Sequence, residues 1–304
     1  MFKKIIVVAF LLVLSQMVFA QKVTPTPTPT AQLQTLDEKI KSEIKDFSGK
    51  VWIYAKNLDT GKDYALRADE QVRTASTIKL PIMTEVFHQI AQGKLNWTDE
   101  IILTKQNKQG GSGILFEFSD NTKIDLKTVL NLMIVVSDNS ATNLTLDKVG
   151  SDNVNNFMDE IGLKQTRSLR KIGGGGDSKA VVDPRLKLFG IGVSSPRDMV
   201  KLLEMLEKGE VVSKEASAEM LTILKRQQYT HGIARNLPDT VPSASKSGAL
   251  DRLRSDVGII YTRRGRIAMA ITTDDMVEVT YSEDNPGLKL LWRLSQILQD
   301  GLGN

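Results

Sequence analysis

Four Ser-x-x-Lys tetrads occur in this 304-residue chain, at Ser42/Lys45, Ser76/Lys79, Ser168/Lys171 and Ser243/Lys246. At the start of a helix, positions i and i+3 share a face. There an amine can take the proton of a hydroxyl once burial or a neighbouring cation lowers its pKa. Lysine is the base to look for because there is no cysteine and there are only two histidines, His88 and His231, far apart in sequence. That composition excludes thiol catalysis, disulfides and zinc–thiolate sites, and it argues against a histidine metal site or a serine–histidine dyad.

Context separates the tetrads. Ser42 and Lys45 lie within a charged helical stretch, Ser168 and Lys171 beside a run of glycines, and Ser243 and Lys246 after Pro242 in a stretch that reads as extended. In an extended chain i and i+3 point to opposite faces. Ser76 alone precedes a mainly apolar segment, Leu80-Pro81-Ile82, where a helix start would offer backbone donors to a developing negative charge. The tripeptide Ser-Asp-Asn also occurs three times. Ser151 follows Gly150 and reads as a helix cap, and Ser119 as a polar turn. Ser137-Asp138-Asn139 follows the apolar run Leu132 to Val136 and reads as a polar corner held by a buried helix. Lys246-Ser247-Gly248, next to Ala249, supplies a cation and a hydroxyl on a strand, with a glycine that lets a substrate backbone approach.

The elements that position these residues are legible in outline. Thr35-Leu36-Asp37-Glu38 is a capping box ahead of Leu36, Ile40 and Ile44 at helical spacing. Residues 50–57 alternate like a strand, a turn follows at Asp59 to Lys62, and Tyr64 to Ala68 returns. An amphipathic helix is expected over residues 79–92 with Gly93 as its stop, another after Asp125, and another from Ser195-Pro196. Asp256 to Thr262 and Arg266 to Thr273 form a hairpin, and a last amphipathic helix runs over residues 286–299. The fold class expected is therefore α/β plus all-α: an antiparallel sheet built from both chain ends, flanked by helices, with a helical domain inserted between. The catalytic unit is assigned to 33–304, with 33–75 and 226–304 as its α/β part and 76–225 as its helical part.

Residues 1–20 read as a signal peptide, with Lys3 and Lys4 ahead of an apolar run and Val18-Phe19-Ala20 at its end. Residues 21–32 form a Thr/Pro-rich linker, an extended spacer of about 3.1 Å per residue. These imply a secreted protein, periplasmic or extracellular, with no stable membrane span after cleavage. The formal net charge of +4 falls further once Lys3 and Lys4 are removed, so no nucleic-acid partner is indicated.

In order along the chain, Ser76-Thr77-Ile78-Lys79, Ser137-Asp138-Asn139 and Lys246-Ser247-Gly248 resemble the motif set of the class A β-lactamases, within the serine β-lactamase and penicillin-binding protein superfamily. The resemblance runs from about residue 33 to 302. It implies a β-lactamase-like fold and acyl transfer through Ser76 as nucleophile, with Lys79 as base and Ser137 as proton donor to the leaving nitrogen. It further implies Asn139, Lys246, Ser247, Gly248 and Ala249 as substrate-binding residues, and the amides of Ser76 and Ala249 as the oxyanion hole. No cofactor or metal is implied. The partner is a small β-lactam or a peptidoglycan-like peptide, and the protein is expected to be a monomer. Arg252 or Arg254 would assist carboxylate binding, although an exposed strand charge is the expectation for either.

One motif of that family is missing. Class A enzymes carry Glu-x-x-Leu-Asn on a loop that here reads Lys171-Ile172-Gly173-Gly174-Gly175-Gly176-Asp177-Ser178, and residues 161–203 contain neither glutamate nor asparagine. Asp177 and Asp183 are the available acids and read as turn or cap residues. The resemblance therefore implies acylation by β-lactam amides with slow deacylation. The alternatives are a D,D-peptidase or esterase acting on cell-wall peptides or esters, and a non-turnover wall-binding or sensing module.

Overall fold

The structure, a computed structural model, describes residues 34–303. The signal-peptide and linker assignments therefore lie outside the described residues. Helix α1 (Leu36–Ile44) opens with the expected capping box, in which the Thr35 hydroxyl accepts from the Glu38 amide and the Glu38 carboxylate accepts from the Thr35 amide. Strands β1 (Lys50–Asn57) and β2 (Asp63–Leu66) follow, then β3 (Val72–Arg73) and a 3-10 turn, Ala75–Ile78, that leads into α2 (Lys79–Ala91). Short strands β4 (Glu100–Ile102) and β5 (Lys123–Asp125) pair with each other beside α3 (Leu126–Val135), α4 (Asn139–Val149) and α5 (Ser151–Glu160). Strands β6 (Arg167–Ser168) and β7 (Gly192–Ser194) join β3 in a second small sheet. After α6 (Pro196–Lys208) and α7 (Lys214–Leu224) come β8 (Ser243–Leu250), β9 (Leu253–Thr262), β10 (Gly265–Asp274) and α8 (Pro286–Leu302).

The main sheet is antiparallel in the order β2-β1-β10-β9-β8. It therefore joins the two ends of the chain, with Lys50 opposite Asp274. Its composition follows from having helices on both faces. Along β10, Ile267, Met269 and Ile271 pack with Ile40, Leu290, Leu294 and Leu298 of α1 and α8. The alternate residues Ala268 and Ala270 join the second core, which contains α2, α3 and α6. Period-two alternation thus puts large side chains on one face and alanine where α6 lies against the sheet. Burial of a leucine such as Leu294, fully enclosed here, is worth about 1.5–3 kcal/mol.

Two local expectations are corrected. Helix α2 is not amphipathic, since ten of its thirteen residues are buried. It runs through the middle of the helical layer, and a helix enclosed on all sides needs no polar face. Pro81 is tolerated because the first turn of a helix has no intrahelical acceptor for its amide donors. Ser151 is the first residue of α5 and not its cap; Gly150 takes the cap position without a side-chain bond. Asp125, Ser195 and Asp138 do cap α3, α6 and α4. Among the described residues, no helix is long and apolar enough to cross a membrane.

Candidate active site

Ser76 stands in the 3-10 turn that feeds α2, partly exposed and in the wall of a cavity of about 740 Å³. Ala75 before it has φ 47°, a left-handed conformation that costs a residue with a Cβ and recurs at sites where geometry is imposed. Ser137, at the corner between α3 and α4, lines the cavity and also has a positive φ, 53°. That corner is held by Asp138, 1% exposed, which accepts the amides of Ile114 and Leu115 on one oxygen and of Ala141 on the other. The Asp138 carboxylate thereby caps α4 and fastens the 110–115 loop to the site.

Strand β8 is the edge of the sheet and passes close to Ser76. A Cβ on Gly248 would stand 2.8 Å from the Thr74 carbonyl oxygen and 3.0 Å from the Ser76 amide nitrogen. Glycine is required there to let the strand approach the backbone at Ser76. Gly248 and Ala249 line the same cavity as Ser76.

Two fully buried lysines converge on one hydroxyl. Lys79 Nζ donates to Ser137 Oγ at 3.1 Å, to the Ser137 carbonyl at 2.7 Å and to Asn139 Oδ1 at 3.1 Å. Lys246 Nζ donates to Ser137 Oγ at 3.0 Å and to the Ser247 carbonyl at 2.8 Å. Burial first, and then the Lys246 charge, hold the Lys79 amine well below the ordinary lysine value. Burial brings Lys246 down to about 7, against the opposing pull of Asp256. A cluster with one anion-free hydroxyl and two desolvated amines favours losing a proton. Ser76 Oγ makes no hydrogen bond among the described residues and faces the cavity. Asn139 is fixed by Lys79 on its oxygen and by the Gly110 carbonyl on its nitrogen.

The structure thus brings Ser76, Ser137, Asn139, Ser247, Gly248 and Ala249 to one cavity, with Lys79 and Lys246 bonded to Ser137 in its wall. The other tetrads do not assemble in this way: Lys171 pairs with Asp147, and Ser168 Oγ donates to Ser151 Oγ. His88 stacks on Phe157 and contacts Gln92. His231 lines the cavity, but its Nε2 lies 3.2 Å from the Glu283 carboxylate.

The glycine segment has a different character. Gly173 to Gly176 all have positive φ and are exposed, and Asp177 is exposed beside them. Asp183 caps the 3-10 turn Pro184–Phe189 and pairs with Arg185, which keeps its carboxyl below the usual range. Neither aspartate lines the cavity. The segment is moored where Asn143 of α4 holds both the amide and the carbonyl of Ile172 at 2.9 Å.

Two residues were misjudged or missed in the sequence. Arg254 is not an exposed strand charge: it is 2% exposed, lines the cavity and donates to the carbonyls of Leu250, Leu253 and Thr280. Arg252 is the exposed one. Asp256, which the sequence presents only as the first residue of a strand, is 1% exposed. A charged pair of positions between Leu253 and Val257 in a strand shielded on both faces was the available signal.

Comparison with known proteins gives the chain's family and fold. The model of the Beta-lactamase enzyme family matches residues 35–302. A beta-lactamase of Bacillus licheniformis is 26% identical over 266 residues, 82% of each chain. The solved structure of a beta-lactamase from Sphaerobacter thermophilus covers 88% of this chain and 96% of its own at 28% identity, with a TM-score of 0.76. A class A beta-lactamase from Mycobacterium abscessus shares the fold at 20% identity, with a TM-score of 0.77 over 89% of this chain and all of its own.

Proposed function

The chain belongs to the beta-lactamase enzyme family, and on that premise we propose that it is a secreted serine hydrolase, acylated at Ser76 by β-lactam-type amides and slow to release the acyl group. The observation that carries the first half is the convergence of Lys79 and Lys246 on Ser137 Oγ beside a nucleophile with no competing hydrogen bond. Ser76 Oγ attacks the amide carbonyl while its proton passes to the neutral Lys79 amine, one helical turn on. The amides of Ser76 and Ala249 receive the oxyanion, a role that the tight approach of β8 at Gly248 supports. Ser137 Oγ gives its proton to the departing ring nitrogen and is reprotonated from Lys79, so the C–N bond breaks without a free amide anion. Asn139 binds the substrate's amide side chain, and Lys246 with Ser247 binds its carboxylate.

The second half rests on the glycine segment. Release needs water activated by a base. Among the described residues, no acid from residues 161–203 lines the cavity. The same absence favours a second reading, in which the site serves as a D,D-peptidase, an esterase or a sensor of wall peptides. Intact mass of the protein at timed intervals after mixing with a penicillin tests both halves. A lasting adduct on Ser76, lost in Ser76→Ala, is the expected result. Rapid antibiotic loss without an adduct would overturn slow release, and neither adduct nor loss would overturn the β-lactam reading.

A further inference from the structure

Cross-strand register sets Asp256 of β9 directly opposite Ser247 of β8, so the two side chains share a face of the sheet edge and both line the cavity. Asp256 Oδ2 accepts the Ile233 amide at 3.0 Å, which fixes the carboxyl. Its Oδ1 is buried and has no partner. A buried carboxylate oxygen without a donor is costly, which makes it a vacancy for one. Gly232 borders it closely: a Cβ there would stand 2.3 Å from Oδ2.

The charged groups around it do not fill that position. Lys246 spends its bonds on Ser137 and Ser247, and Arg254 spends its own on three carbonyls beneath the Tyr281 ring. Glu283 adds a second acid to the same cavity, exposed and paired with His231. A carboxylate docked at Ser247 would thus meet a carboxylate across the strand.

We propose that Asp256 makes this end of the cavity a donor-binding subsite, selecting substrates that carry an N–H cation, an amine or amidine, on the half of the molecule that bears the carboxylate. The inference builds on the acyl-transfer reading of the site, to which it adds the substrate class. Burial pushes the Asp256 carboxyl up to about 6, against the Ile233 amide, Lys246 and the neighbouring Val257 amide, which lower it. At neutral pH the free oxygen is an acceptor. Below about pH 6 it carries a proton and becomes a donor, and the preference moves toward substrates with a carboxylate alone.

The experiment is calorimetric titration of Ser76→Ala protein, with and without Asp256→Asn, using imipenem (a formamidine cation) and benzylpenicillin (a carboxylate without such a donor). Asparagine keeps an oxygen for Ile233 and turns the free position into a donor. Expected at pH 7.5 is an imipenem Kd about tenfold weaker in the Asp256→Asn protein, with benzylpenicillin binding equal or tighter. At pH 5 the two proteins converge. Equal changes for both ligands, no change for either, or no imipenem binding with Asp256 present would each overturn the subsite. Failure of the acyl-transfer reading shows separately, as absence of an adduct on the protein that keeps Ser76 while the Ser76→Ala protein still distinguishes the two ligands.

Discussion

The cluster around Ser137 and the glycine segment after Lys171 both hold on to α4, one at Asn139 and the other at Asn143, and are built by opposite rules. In the first, Lys79, Asp138 and Lys246 are almost fully enclosed and fixed by named hydrogen bonds. In the second, four glycines in succession take positive φ in solvent, and the segment is held through the backbone of Ile172. Forming an acyl-enzyme calls for pKa tuning and a fixed proton path, which burial supplies. Releasing it calls for a base beside a water, which a run of glycines cannot supply. On the proposed reading, the two half-reactions of acyl transfer draw on separable parts of the fold, and one can be kept without the other.

The sharpest way to break that contrast is to remove the buried base. Lys79→Ala is expected to lower the acylation rate by about 10²–10⁴, the usual worth of a positioned general base, as read from adduct mass against time. A smaller loss would mean that Ser76 is activated from elsewhere. The reverse test adds an acid to the poor half. Asn139 and Asn143 are one helical turn apart on α4, so Ile172 is held through its backbone to the turn next to the one that bears the Lys79–Asn139 bond. Ile172→Glu is expected to speed loss of the adduct by up to about 10²-fold with acylation little changed. Unchanged adduct lifetime would show that the loop backbone, and not the missing carboxylate, limits release.

The third test concerns protons. Lys246 is depressed to about 7 in the folded chain, against an ordinary value near 10.5 when unfolded. Between those values the unfolded chain binds the extra proton, so this lysine makes the protein more stable as pH rises from 7 to 9. The increment is on the order of 2 kcal/mol. Lys246→Met should flatten that rise in denaturant titrations at pH 7, 8 and 9. A slope that survives the substitution would assign the effect to Lys79. The smallest effect expected is that of Asn143→Ala, which frees Ile172 and costs about 1 kcal/mol of stability without changing the acylation rate. A drop in acylation there would couple the two regions after all.

The elements were more legible in the sequence than the charges. Alternation along residues 266–273 announced β10, and Thr35 with Glu38 announced α1, because both signals are local. The tetrad at Ser76 stood out for the same reason. Arg254 and Asp256 did not, since what lets a charge be buried there comes from far along the chain: the Thr280 carbonyl for one and the Ile233 amide for the other. The all-round burial of α2 was hidden likewise, because its polar-looking positions Thr84, Glu85 and Gln89 bond inward, to the Pro81 carbonyl, to each other and to the Val149 carbonyl.

Because β1 pairs with β10 and β8 forms the edge beside Ser76, Lys79 and Lys246, the two lysines that meet at Ser137, come from parts of the chain far apart in sequence. A ribosome makes Ser76 and Lys79 long before Lys246, and closing so long a loop is an entropic cost that only the completed sheet repays. On the proposed reading, a chain cut short between α2 and β8 carries the whole tetrad and no complete site. On that reading, reactivity toward an acylating agent would report on completion of the molecule.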